Sequence, residues 1–211
     1  MSEQLTSQIN NNVIPNLDYF VEWGGSTWKR QLNYALREFT GIDFAGKKIL
    51  EIGSRSGKMA CLFARLGGTV TGIDINPDFI GNAVAEAINM EVEQRTNFIA
   101  YNGDFDIFPD ESFDLIFTKS VLVIVPELEC FLRQISNKLK PSGKVLFLEN
   151  AKGGLLHKLR RFRHRTWNYQ KAKFFTDKEL NLICDIFQVF EIKKTIFPPT
   201  YLIMGEKRDK L

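Results

Sequence analysis

The stretch "ILEIGSRSGKMA", residues 49–60, sets an acid, Glu51, two residues before Gly53 and a second glycine, Gly57, four residues further on. An apolar run that ends in such a turn and reopens as a helix presents backbone N–H groups to a ligand. The turn does not suit a pyrophosphate. A dinucleotide fingerprint needs G-x-G-x-x-G, and here Gly53 is followed by Ser54, Arg55, Ser56, Gly57 and Lys58, so the second and third glycines are both displaced. Asp74 lies 23 residues after Glu51, at the end of the next apolar run, where a carboxylate can accept hydrogen bonds from both hydroxyls of a ribose. A ribose without a pyrophosphate is the ligand that these residues describe.

The elements that must position them alternate between strand and helix. "KKILEIG" reads as a buried strand. Met59, Leu62, Phe63 and Leu66 follow at helical spacing, with Gly67-Gly68 as the stop. "TVTGID" is a second strand, and Asn76-Pro77 supplies a cap and an N1 proline for a helix with Phe79, Ile80, Ala83, Val84, Ala87 and Ile88 on one face. "NFIAYNGD" and "SFDLIFTK" are the third and fourth strands. Pro126 opens a helix with Leu128, Phe131, Leu132, Ile135 and Leu139 inward, Pro141-Ser142-Gly143 stops it, and "KVLFLEN" is the fifth strand. Thr176 and Glu179 form a capping box ahead of Leu180, Ile183 and Phe187, and "VFEIKKTIF" and "TYLIMGEK" close the chain as an antiparallel pair. Residues 27–39 read as a helix, preceded by the aromatic stretch "YFVEWGGSTW". The alternation predicts one α/β domain over residues 1–211: a Rossmann-like, seven-stranded, mostly parallel sheet with helices on both faces and an antiparallel C-terminal strand pair. Residues 1–44 form an N-terminal helical lid. Ligands of such sheets sit beyond the strand carboxyl ends, at the switch point beside the first strand.

Size and charge bound the rest. At 211 residues, with 44% apolar and 25% charged side chains, the chain fits a single globular domain. No apolar run approaches a membrane span and "MSEQLTSQIN" is not a leader, so a cytoplasmic protein is expected. Cys61, Cys130 and Cys184 are too few and too scattered for a disulfide framework or a zinc site, and reduced core thiols are expected. No metal site is expected. The net charge of +3 hides an asymmetry: residues 151–175 hold eight Lys/Arg and no acid.

Four stretches, in order and at the right spacing, carry a family resemblance. "ILEIGSRSG", "VTGIDINP", "NGDFDIFPDESFDLIF" and "LKPSGKVLFLE" resemble the motifs of class I S-adenosylmethionine-dependent methyltransferases, of the small-molecule (methyltransferase type 11/25-like) group, closely over residues 45–150 and loosely beyond. The resemblance implies S-adenosyl-L-methionine (SAM) as cofactor and a methyl group transferred to an oxygen or nitrogen of a small metabolite, a sugar or natural-product intermediate. Glu51 would balance the methionine ammonium, and the backbone from Gly53 through Ser54 to Gly57 would serve its carboxylate. Asp74 would hold the ribose with Ile75 beside it, Asp104 the adenine amino group and Phe105 the adenine ring face. Lys119, at the end of the fourth strand, and Arg30, from the lid, complete the cofactor set.

Two positions depart from the family pattern. Arg55 stands where a second glycine is usual; it either points away from the pocket or pairs with the methionine carboxylate. Ile124 stands where relatives often carry histidine. Methyl transfer is an in-line displacement that needs alignment and exclusion of water, and a hydroxyl acceptor also benefits from a base. His157, Tyr169 and Glu149 are the catalytic candidates, with His164 the other histidine. Leu155, Leu159, Phe162, Thr166 and Tyr169 share one helical face, flanked by Arg160, Arg161, Arg163 and Arg165. We expect this 151–175 insertion to frame the acceptor site, its cations drawing an acidic or phosphorylated acceptor. Membrane-surface contact through 155–169 remains open. RNA binding through the arginines is the less favoured partner. An RNA methyltransferase and a non-catalytic SAM-binding module are the alternative functions.

Overall fold

A computed structural model describes residues 17–21, 25–38, 44–153, 173–196 and 199–208. Two helices come first, α1 (Leu17–Val21) and α2 (Gly25–Glu38). Then β1 (Lys48–Ile52), α3 (Lys58–Arg65), β2 (Thr69–Asp74), α4 (Pro77–Asn89) and β3 (Thr96–Ala100) alternate. β4 (Phe113–Lys119), α5 (Leu128–Lys138) and β5 (Leu139–Asn150) continue the pattern, and α6 (Asp177–Ile186), β6 (Phe187–Ile196) and β7 (Pro199–Lys207) close it.

The seven strands form one sheet in the order β3-β2-β1-β4-β5-β7-β6. β1 pairs in parallel with β2 on one side and β4 on the other, so the chain reverses its direction of winding at β1. β7 is antiparallel to both β5 and β6. The two sheet faces carry separate cores. Ile49, Val70, Phe117, Leu148 and Leu202 pack under α1, α2 and α3. Leu50, Ile73, Ile116, Phe147 and Ile203 pack under α5 and α6. Alternate residues of each strand therefore serve opposite faces, and the central strands read as unbroken apolar runs.

Local signals place the helix starts. Asn76 caps α4, its side chain accepting from Asp78 N–H at 3.0 Å, with Pro77 at the first helical position. Thr176 and Glu179 form the expected capping box on α6. Three expectations need correction. Val84 and Ile88 are 43% and 57% exposed, and only the narrow stripe of Ala83 and Ala87 is buried on α4. The cause is close approach: a Cβ at Gly57 would lie 2.8 Å from Ala83 Cβ. The helix before β5 ends at Lys138, and the strand starts at Leu139. Its pairing with β4 skips at Pro141–Gly143, where Ser142 takes φ 58°. Cys61 is a core thiol, pushed up to about 12 by burial and then by Glu86 and Glu51. Cys130, by contrast, is exposed. All three cysteines are free.

Candidate functional site

The turn after β1 is held by backbone. Gly53 and Ser54 N–H both donate to Ile73 O, at 2.8 and 3.0 Å, and Gly57 N–H donates to Ser54 O at 2.7 Å. Gly53 has φ 79° and Gly57 φ 75°, a region that costs an L-residue a Cβ clash. Space decides as well. A Cβ on Gly53 would stand 2.4 Å from Val121 Cγ2. Glu51, at 4% exposure, and Ser54, also at 4%, are enclosed beside the turn, and the Ser54 hydroxyl has no hydrogen-bond partner among the described residues. Neither Glu51 nor Asp74 caps a helix: Gly57 begins α3 and Asn76 begins α4.

Asp74 closes β2 at 6% exposure and anchors both the turn after β1 and the start of the segment after β2. Its Oδ2 accepts from Arg55 N–H and its Oδ1 from Asn76 N–H, each at 2.9 Å. Each carboxylate oxygen keeps a second lone pair for a ribose hydroxyl. Arg55 takes the left-handed conformation, φ 46°, while its guanidinium lies 5.4 Å from the centre of the Phe79 ring on α4 and is exposed. The side chain therefore leaves the turn, whereas its amide stays on Asp74. Ile75, 73% exposed, stands open at the mouth of the same turn.

The next loop carries Asp104 and Phe105. Asp104 is exposed and caps the short 3-10 turn Phe105–Ile107, its Oδ1 accepting from Asp106 N–H at 2.8 Å. Its Oδ2 has acceptor capacity for an amino group. Phe105 is a correction. Its ring is 1% exposed and packs against Tyr101 and Phe131, centroids 4.9 and 5.3 Å apart, so its faces serve the core under α5.

The two N-terminal helices border α3 and the sheet. α1 packs on α3, and Lys58 Nζ sits 4.1 Å from the Tyr19 ring centre. Tyr19 donates to Glu86 Oε1 at 2.5 Å. Lys119, at the end of β4, donates to Val21 O at 2.5 Å, which ties α1 to the end of that strand. Arg30 is exposed on α2, away from that helix's buried face. That face carries Trp28, Gln31, Leu32 and Ala35, and the helix packs on β5 and β7. Sequence patterning does not single out Gln31. It is 5% exposed, and neither its amide oxygen nor its nitrogen has a hydrogen-bond partner among the described residues. The one signal for it is a glutamine standing at i+3 in an apolar stripe.

Glu149 is wholly buried near the end of β5. Its Oε1 accepts from Thr118 Oγ1 at 2.9 Å and from the N–H groups of Val121 and Leu122 at 3.2 and 3.1 Å. Burial pushes its pKa up to about 7, against those hydrogen bonds, which favour the charged form. An enclosed carboxyl with three donors on one oxygen is badly placed to take a proton from a substrate, which corrects its candidacy as a base. His157, His164 and Tyr169 lie outside the described residues, as does the 154–172 stretch of the basic insertion. The residues just beyond it return to the site: Phe175 N–H donates to Asn150 O at 3.0 Å and Lys173 N–H to Val123 O at 2.6 Å. Among the described residues, no group of His, Cys, Asp and Glu could hold a metal ion. No helix there is long and apolar enough to cross a membrane.

A seven-stranded sheet with a reversed last strand, a glycine turn after β1 and an acid closing β2 define the class I methyltransferase fold, as the sequence motifs implied. Residues 50–147 match the family model described as "Methyltransferase domain". The chain is 34% identical over 105 residues to a demethylmenaquinone methyltransferase of Tropheryma whipplei, covering 50% of this chain and 42% of that protein. It is 31% identical over 106 residues to a ubiquinone biosynthesis O-methyltransferase of Xanthomonas oryzae, covering 49% of this chain and 43% of that one. The chain thus spans less than half the length of these curated relatives. A SAM-dependent methyltransferase structure from Methanosarcina mazei superposes with a TM-score of 0.64 at 26% identity, over 77% of this chain and 92% of that one. SAM is the cofactor for which this domain is built, and the cradle fits it. The turn's amides at Gly53, Ser54, Arg55 and Gly57 are engaged within the protein, so it is no phosphate nest; what it leaves a ligand is the unpartnered buried Ser54 hydroxyl and the spare lone pairs of Asp74.

Proposed function

We propose that this protein is a methyltransferase that transfers a methyl group from SAM to an oxygen or nitrogen of a small metabolite. The observation that carries the reading is the pairing of the Gly53–Gly57 turn with Asp74, whose two oxygens fix Arg55 and Asn76 while leaving acceptor capacity on the ribose side. SAM supplies a methyl carbon activated by positively charged sulfur. The chain does the rest. Glu51 balances the ammonium, the turn with its unpartnered Ser54 hydroxyl receives the carboxylate, Asp104 takes the adenine amino group, and the N-terminal helices tied down through Lys119 exclude water.

The acceptor enters beyond the ends of β4 and β5. The names of the relatives, one in ubiquinone biosynthesis and one acting on demethylmenaquinone, support a quinone-type ring as the first acceptor to try, ahead of a sugar. We assign Gln31 to acceptor recognition, because a buried amide without a partner is costly until a ligand or water supplies one. His157 and Tyr169 stay as base candidates for a hydroxyl acceptor. The cations of 151–175 favour an acidic or phosphorylated one.

The test is transfer of label from methyl-labelled SAM into a cell extract, afterwards separated into RNA and small metabolites. Label in the small-metabolite fraction is expected. Label in RNA would establish the RNA methyltransferase instead. SAM binding without S-adenosylhomocysteine from any fraction would leave a non-catalytic module.

A further inference from the structure

Three consecutive residues after β4 are fastened to three consecutive residues of β5. Ser120 N–H donates to Leu148 O and Asn150 Nδ2 to Ser120 Oγ, each at 2.8 Å. Between those two anchors, Glu149 Oε1 gathers the N–H groups of Val121 and Leu122, together with the Thr118 hydroxyl. Ser120 takes φ 59°, so the chain turns sharply here and throws the Val121 side chain towards β1. Its Cγ2 lies where a Cβ of Gly53 would be, at 2.4 Å. The loop after β4 therefore rests on the first glycine of the cofactor turn, and one carboxyl group holds the two amides on either side of that contact.

A purely structural role predicts any acceptor here, and a neutral one would be the cheaper choice, since an acid must be desolvated to be buried. Three donors meet Oε1, whereas Oε2 has no hydrogen-bond partner among the described residues. That asymmetry asks for an accepting oxygen at the Oε1 position and for nothing at Oε2. It is a pattern that an amide can reproduce.

We propose that Glu149 is a positioning residue for the cofactor turn: by holding the Val121 and Leu122 amides it sets how closely Val121 presses on Gly53, and so fixes the floor beneath the methionine end of SAM. The inference rests on the functional reading above, in which that end lies on the Gly53–Gly57 turn. Glu149 acts through Val121 and touches no reacting atom.

The test compares Glu149→Gln, Glu149→Leu and Val121→Ala in the whole chain, reading SAM affinity by calorimetry, acceptor KM, and thermal stability. Glu149→Gln keeps an accepting oxygen and should hold SAM affinity within about twofold, while Glu149→Leu should lose about tenfold, as for one removed hydrogen-bonding group. Val121→Ala keeps every amide bond and removes the methyl groups over Gly53; a loss of about threefold or more in SAM affinity at unchanged acceptor KM is expected. A folded Glu149→Leu with wild-type affinity overturns the proposal. So does a Gln variant that fails as badly as Leu, because then charge and not acceptance matters. If the Leu variant does not fold, Val121→Ala decides: unchanged SAM affinity overturns the proposal. A wild-type chain that binds no SAM would sink the functional reading itself, an outcome distinct from all of these.

Discussion

The two halves of the strand-end cleft are built differently. On the β1–β2 side the chain is tied by its own backbone: four amide groups, at Gly53, Ser54, Arg55 and Asn76, are spent on Ile73 O and Asp74. On the β4–β5 side the ties are side chains. Glu149 and Asn150 hold the loop, Lys119 holds the end of α1, and Gln31, on the helix α2 that packs on β5 and β7, has its amide unspent among the described residues. Backbone can cradle one ligand of fixed shape wherever the glycines permit. Side chains can be changed one at a time, and that is the half to which we assign the choice of acceptor.

This difference also governs how much of the molecule is legible in its sequence. The β1–β2 half is legible because its signals are local: Gly53 and Gly57 four apart, Asp74 at a strand end, Asn76-Pro77 at a helix start. The parallel sheet and its reversed last pair come from the alternation. Phe105 is misleading because an aromatic residue after "NGD" has the same local pattern whether it faces a ligand or Tyr101 and Phe131. Val84 and Ile88 mislead because periodicity gives a face but not its width, and the close approach at Gly57 narrows that face to two alanines. Glu149 and Gln31 depend on partners, or absent partners, many residues away. No spacing rule reveals those.

The largest effect is expected on the side-chain half. Burial raises the Glu149 pKa from 4.5 to about 7, so between those values the folded chain holds a proton that the unfolded chain has released. Stability is then fully present below about pH 4.5 and falls as pH rises towards 7, by about 3.5 kcal/mol at most at about 1.4 kcal/mol per unit. Asp114 and Glu179, held below the usual carboxylate range by Lys140 and Lys48 and by Thr176 against their burial, work the other way and lose their contribution only as pH falls further. Denaturant melts of wild type and Glu149→Gln across this range check it. A slope that survives in the Gln variant belongs to some other group.

On the backbone half, Asp74→Ala removes the acceptor for both a ribose and two amides. SAM affinity should weaken by about 1.5–3 kcal/mol, the range for hydrogen bonds to a charged group. Thermal stability should fall too, since Arg55 and Asn76 lose their partner. Unchanged affinity in a folded variant would dissolve the contrast between the halves. Gln31→Leu probes the other side at smaller cost. Removing an unpartnered buried amide should raise stability by about 1 kcal/mol, while acceptor KM rises and SAM affinity stays. A gain in stability with an unaltered acceptor KM would strip Gln31 of its assigned role.

Arg55 should give the smallest effect, and it asks whether the backbone half is as indifferent to side chains as the contrast requires. Its guanidinium rests over Phe79 and its φ of 46° is one that glycine adopts freely. Arg55→Gly would lose a solvent-exposed cation–π contact worth about 0.5–1 kcal/mol and regain a similar amount of backbone strain. It would also leave the amide that donates to Asp74 in place. The two terms nearly cancel, so melting temperature and SAM affinity should both stay close to wild type. An arginine that swung inward onto the methionine carboxylate would instead make a bidentate pair, and its loss would cost tenfold or more in affinity at about 1.4 kcal/mol per decade. Calorimetry on this one variant therefore separates a turn held by its main chain from a turn that borrowed a side chain where the resemblance implied a glycine.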